Sequence, residues 1–220
     1  MTQIIPSIIG QNFSEVQAKL QQLEGLVDWA QLDIVDGIFA PTYTWQNPAD
    51  LKEVGGKLRL EAHLMVDDPT VIIDDWLAFV DRVIIHLEAA GDLDVLLKKY
   101  AETPQGIGLA LNFDTPLTAV IPYQDQIRVL QLMSIEKLGA YGADFLPATI
   151  ARVKEARTMF PNLKIAVDGG IKLLEAESLL AAGADHLIVG SAIWQESDPT
   201  VALDRFQTLA AKFTEIKYVG

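Results

Sequence analysis

An eightfold alternation of short apolar runs with longer stretches of helical period constrains this chain more than any other feature. The runs 4–9, 29–35, 58–66, 82–87, 106–111, 128–133, 163–167 and 186–189 have the length and aliphatic content of strands. The stretches 14–26, 48–54, 70–80, 93–100, 116–121, 147–160, 173–182 and 201–213 follow them in turn with the spacing of helices. Runs such as Val83-Ile84-Ile85 and Leu187-Ile188-Val189 do not alternate with polar residues, so those strands are covered on both faces, as in a parallel sheet. Eight βα units in 220 residues predict a closed (β/α)₈ TIM barrel, one α/β domain over residues 1–220. A near-repeat agrees: Leu26-Val27-Asp28-Trp29, Phe79-Val80-Asp81-Arg82 and Ala182-Gly183-Ala184-Asp185 each fall where a helix turns into the next strand. A doubly wound open sheet is the competing architecture, but no Gly-x-Gly-x-x-Gly loop follows the first strand.

Composition narrows the function classes. With 17 basic against 30 acidic residues the formal charge is −13, and no basic patch interrupts it, which argues against nucleic acid and anionic membrane as partners. The absence of cysteine excludes disulfides, thiolate metal sites and a cysteine nucleophile. No apolar run reaches bilayer length and the start lacks a secretory pattern, so a cytoplasmic protein is expected. Asn12 before the first helix and Asp198-Pro199 before the last read as helix starts. Two connections exceed the usual length: 36–47, rich in aromatic residues and suited to a lid or an oligomer contact, and 134–146, with Gly139 and Gly142.

In such a barrel the ligand lies at the C-terminal ends of the strands. There the period of two puts Gln31 and Asp33 on one face of the second strand, and His63 and Met65 on one face of the third. His86 and Glu88 end the fourth, and Asp168 ends the seventh. Each alone is open to a bland reading, as a helix cap or a satisfied core histidine. Converging carboxylates and imidazoles, however, are expensive to desolvate without a metal, a ligand or one another. His186 begins its strand and is expected at the opposite face. Gly169-Gly170 after the seventh strand and Gly190-Ser191 after the eighth put small residues where backbone N–H groups can meet an anion, and contact dipoles act there while net charge is screened beyond about 10 Å.

These residues resemble the ribulose-phosphate 3-epimerases and their hexulose-phosphate relatives. The likeness rests on Pro6-Ser7-Ile8, Leu32-Asp33-Ile34-Val35-Asp36-Gly37, His63-Leu64-Met65-Val66, His86-Leu87-Glu88-Ala89, Gly108-Leu109-Ala110-Leu111-Asn112, Val167-Asp168-Gly169-Gly170-Ile171 and Gly190-Ser191-Ala192-Ile193, in family order over nearly the whole chain. The resemblance implies inversion at C3 of a ketose 5-phosphate, ribulose 5-phosphate to xylulose 5-phosphate or a related pair, through an enediolate. Asp33 and Asp168 match the two proton-transferring aspartates. A divalent ion (zinc, manganese, iron or magnesium) held by Asp33, His63 and Asp168 would polarise the carbonyl. Ser7, Met65 and Met133 match substrate-lining residues beside His63, and Gly142, Gly169, Gly170, Gly190 and Ser191 match the phosphate cradle. Homo-oligomers are common in the family.

The departures from the pattern are as informative. Gln31 stands where the family has a histidine ligand, and an amide oxygen is a weaker, harder donor that shifts preference from zinc or iron toward manganese or magnesium. Val35 replaces a family methionine. The sixth loop, Lys137-Leu138-Gly139-Ala140-Tyr141-Gly142-Ala143-Asp144, replaces Pro-Gly-Phe-Gly-Gly-Gln and is one residue longer, so that Lys137 becomes a candidate compensating charge. Ile38-Phe39-Ala40-Pro41-Thr42 lacks the family asparagine. A second reading is therefore a catalytically inactive or repurposed barrel that binds a phosphosugar through a degraded metal site. A third, a decarboxylase of the orotidine or ketogulonate phosphate group, fails on the absence of lysine in Asp33-Ile34-Val35-Asp36.

Overall fold

The computed structural model describes residues 2–102, 106–139 and 141–216, so that Met1, Ala140 of the sixth loop and residues 217–220 of the expected domain lie outside it. Eight parallel strands close into one barrel in sequence order. They are β1 Gln3–Ile8, β2 Trp29–Val35, β3 Arg59–Met65, β4 Arg82–His86, β5 Ile107–Leu111, β6 Val129–Met133, β7 Lys164–Asp168 and β8 His186–Val189. Pairing of Gln3 with His186 and of Pro6 with Val189 closes the ring between β1 and β8. The expected TIM barrel is thus the observed one.

The crossovers differ from expectation. Helices α1 Phe13–Leu23, α2 Ile73–Leu77, α3 Leu93–Lys99, α4 Thr149–Met159, α5 Leu173–Ala182, α6 Ser191–Trp194 and α7 Pro199–Ile216 cover the barrel. The segments Pro48–Glu53 and Leu117–Tyr123, expected as α-helices, are 3₁₀ instead. The first is cut short by Gly55 and Gly56. The second carries β-branched Thr118, Val120 and Ile121 and then Pro122, which lose side-chain freedom or a backbone donor in an α-helix. The α1 cap matches expectation, with the Asn12 side chain accepting from the Glu15 N–H.

Two apolar layers hold the barrel. Inside it Ile5, Ile84, Ala110, Val129, Ala166 and Ile188 pack together with Trp29 beneath them, while the outward faces of the strands pack on the helices around Leu20, Trp76 and Phe160. The near-repeat has a physical reason at the N-terminal face. Asp81 accepts from the Leu60 N–H at 2.9 Å and Asp185 from the Ile165 N–H at 3.1 Å, each satisfying a donor of the preceding strand. Arg82 pairs with buried Glu61 and stacks over Trp29 on the same face. His186 is buried there, away from the C-terminal mouth, as expected. Among the described residues no helix is long and apolar enough to cross a membrane.

Candidate active site

Strand register brings the polar residues to one level. Asp33 pairs with His63, Met133 with Asp168 and Ala110 with Gln131, so side chains from β2, β3, β6 and β7 meet inside the top of the barrel. One ligating atom from each of Asp33, His63 and Asp168 lies within 4.8 Å of the others. His63 Nδ1 is 3.4 Å from Asp33 Oδ1 and 3.4 Å from Asp168 Oδ2. Gln31 is fully buried beside them, its Nε2 donating to Asp33 Oδ1 at 2.8 Å and to Asp168 Oδ2 at 2.7 Å, and standing 3.3 Å from His63 Nδ1.

A chain of hydrogen bonds orients His63. His86 Nδ1 faces Glu88 Oε2 at 3.2 Å, and His86 Nε2 faces His63 Nε2 at 2.9 Å. Glu88 also accepts from the Asn112 N–H at 2.8 Å and from the Thr115 hydroxyl. Burial works against the Glu88 carboxylate, but these bonds outweigh it and hold it down at about 2. Burial lowers the His86 imidazole to about 4, so neutral His86 gives its one N–H to Glu88 and accepts from His63. The free edge of His63, Nδ1, then points at the two aspartates. Burial would push that imidazole down, yet Asp168 and Asp33 raise it to about 9. Burial first, and then the Asp168 charge, push Asp33 up despite the His63 bond. The three groups thus share positive charge at one point, as a proton on Nδ1 or as a cation in its place.

The donor set suits a divalent ion. Gln31 Nε2 and His63 Nδ1 stand 2.7 to 3.4 Å from Asp33 Oδ1, from Asp168 Oδ2 and from one another, and the ligating atoms of Asp33, His63 and Asp168 all lie within 4.8 Å. Four ligands around an ion with bonds of about 2.0–2.1 Å stand about 3.3 Å apart. Gln31 Oε1 is buried without a hydrogen-bond partner among the described residues, a situation that costs about 1–3 kcal/mol. Exchanging the amide oxygen with the nitrogen would turn that orphan into a ligand.

Above this cluster a pocket is lined by Ser7, Asp33, Met65, Met133, Gly142, Asp168, Gly169, Gly170, Gly190 and Ser191. Of the expected site residues these share one cavity, whereas Gln31 and His63 contact its Asp33 and Asp168 without lining it, and His86, Glu88 and Lys137 lie outside it. Gly170 has φ +65°, and a Cβ there would sit 2.7 Å from the Phe145 nitrogen. A Cβ on Gly190 would sit 2.7 Å from both Ser7 Oγ and a Tyr141 ring carbon. Close backbone approach requires glycine at both places.

The sixth loop reaches the pocket by residues other than Lys137. Lys137 is exposed and lies in a separate groove with Phe39 and Phe113. Tyr141 instead donates to the Ser7 carbonyl at 3.0 Å and accepts from the Ile9 N–H at 2.9 Å, while Lys19 Nζ lies 5.1 Å from its ring centroid. The aromatic connection 36–47 splits in role. Phe39 packs on His86 with ring centroids 4.7 Å apart and the rings tilted by 49°, whereas Trp45 is core, against Phe13 and Trp76. Asp36 serves the loops, accepting from the N–H groups of Ile38, Phe39 and Asp67. Sequence reasoning missed Gln131, a fully buried amide that donates to Asp168 Oδ2 at 2.9 Å. Its signal was available: a polar residue in an otherwise apolar strand, in phase with Met133.

The ribulose-phosphate 3 epimerase family model matches residues 3–194. The chain belongs to that family. Among curated relatives, ribulose-phosphate 3-epimerase of Escherichia coli K12 is 30% identical over 95% of this chain and 96% of its own length. The Schizosaccharomyces pombe ribulose-phosphate 3-epimerase is 26% identical over 97% and 96%. Solved structures share the fold at lower identity. KGPDC from Streptococcus mutans superposes with a TM-score of 0.73 at 12% identity, covering 97% of this chain and 99% of that one. The 3-hexulose-6-phosphate synthase of Salmonella typhimurium does so at 0.70 and 16%, covering 96% and 100%.

Proposed function

We propose that this family member epimerises C3 of a ketose 5-phosphate, with D-ribulose 5-phosphate and D-xylulose 5-phosphate as the leading pair. The observation that carries the reading is the meeting of Asp33 and Asp168, from β2 and β7, on His63 beneath a glycine-rimmed pocket. One carboxylate removes the C3 proton while the other delivers a proton from the opposite face, so the configuration inverts. Met65 and Met133 flank the pair and keep water from protonating the enediolate at random. Backbone groups at Gly170, Gly190 and Ser191 receive the phosphate, which fits an anionic substrate on an acidic protein. A divalent ion held by Asp33, His63 and Asp168, with the Gln31 amide oxygen, would polarise the carbonyl and stabilise the enediolate charge. That hard oxygen favours manganese or magnesium over zinc. The reading extends to one domain over 1–220, a cytoplasmic setting and self-association.

Asp33→Asn and Asp168→Asn keep side-chain shape and remove the proton acceptor. Each is expected to lower epimerisation of D-ribulose 5-phosphate by at least about 10²–10⁴-fold with the barrel still folded by circular dichroism. Near-wild-type turnover in either variant would refute the two-carboxylate assignment.

A further inference from the structure

Two buried carboxamides, not one, close on Asp168. Gln31 reaches Asp168 Oδ2 from β2 and Gln131 reaches the same oxygen from β6, standing also 3.2 Å from His63 Nδ1 and 4.0 Å from Met133 Sδ. Both side chains are fully buried, and in both Oε1 lacks a hydrogen-bond partner among the described residues. The surroundings do not explain a second amide. Val129, Ala166 and Ile188 pack the barrel interior beside this level, and an apolar residue at 131 would join them. Asp168 Oδ2 has lone pairs for both donors, so Gln131 would still hold that oxygen if the Gln31 nitrogen turned away.

Turning the Gln31 amide about its last torsion exchanges oxygen and nitrogen with little movement of other atoms. In that orientation Oε1 faces two carboxylate oxygens at the distances where Nε2 now donates to them, 2.8 and 2.7 Å. Oxygen against carboxylate is repulsive unless a cation lies between them, so the turn is tied to metal. We propose that Gln31 turns in this way on metal binding, and that Gln131 is the positioning residue that keeps Asp168 Oδ2 aimed at the site while it does so. This rests on the metal-ligand reading of Asp33, His63 and Asp168 given above.

The test is titration of chelated full-length protein with Mn(II), reading free ion by electron paramagnetic resonance, for wild type, Gln131→Met and Gln31→Met. Gln131→Leu serves as a second apolar variant should the methionine fail to unfold cooperatively. Each substitution is expected to weaken Mn(II) binding by about 10–100-fold, the usual effect of losing a ligand-orienting group. In the position 131 variants kcat should fall while KM for the ketose phosphate changes little, a split that mere loosening of the fold would not produce. Wild-type affinity and kcat at position 131 would overturn the positioning role. Unweakened binding by Gln31→Met, or no Mn(II) binding by wild type, would overturn the turn of Gln31. Tight, glutamine-dependent Mn(II) binding without any epimerisation would leave this pair standing and defeat the proposed reaction instead.

Discussion

His186 begins β8 with its imidazole enclosed and Nδ1 without a partner among the described residues. Burial first, and then the charge of Arg82, hold it down at about 3, with Asp185 opposing and Lys164 adding to the effect. In the unfolded chain the same group titrates near 6.5. The unfolded state therefore binds a proton between pH 6.5 and 3 that the native state refuses, and stability is full above 6.5 and drains as pH falls through that window. The loss amounts to a few kcal/mol by pH 3. Urea denaturation at pH 7 and pH 4 should show it, and His186→Leu should flatten the dependence. An unchanged slope in the variant would place the acid sensitivity elsewhere. At this scale the strand-end residues were legible, because period and topology together put Asp33, His63 and Asp168 at one mouth. Gln131 was legible only as a polar residue in an apolar strand, in phase with Met133; its pairing with Asp168 on the neighbouring strand leaves no local signal.

Among the elements, the loop after β6 shows where sequence reading ends. Its lysine drew attention as a charge, yet Tyr141 ties the loop to the end of β1, 134 residues away at Ser7. Contacts of that separation leave no local pattern. Tyr141→Phe removes the donor to the Ser7 carbonyl and the acceptor of the Ile9 N–H, and costs about 1 kcal/mol of stability. Because the ring stands against Gly190, which is proposed to receive the phosphate, KM for the phosphorylated ketose should rise several-fold while kcat, which the proposed mechanism assigns to Asp33 and Asp168, is largely kept. Steady-state kinetics with denaturant melts would check this, and an unchanged KM would mean that the loop does not shape the cradle. The crossovers teach a related lesson. Apolar spacing located 48–53 and 117–123, but Gly55 and Gly56 after the first, and Pro122 with the β-branched run in the second, decided that they stay 3₁₀.

For the whole molecule, barrel closure was legible because eight units, each with a strand buried on both faces, leave few other ways to cover the sheet. Closure is also what the proposed chemistry needs, since β2 and β7 lie far apart in sequence and the ring brings their aspartates together in one pocket. The fold is shared with decarboxylases and synthases, so it does not choose the reaction; the paired carboxylates and the family do. The decisive measurement is proton NMR of D-ribulose 5-phosphate in D₂O with chelated protein, before and after added manganese, magnesium or zinc. The account predicts loss of the C3 proton signal with appearance of D-xylulose 5-phosphate, most readily with manganese or magnesium. A C3 signal that persists under every condition, with the protein folded, would contradict it.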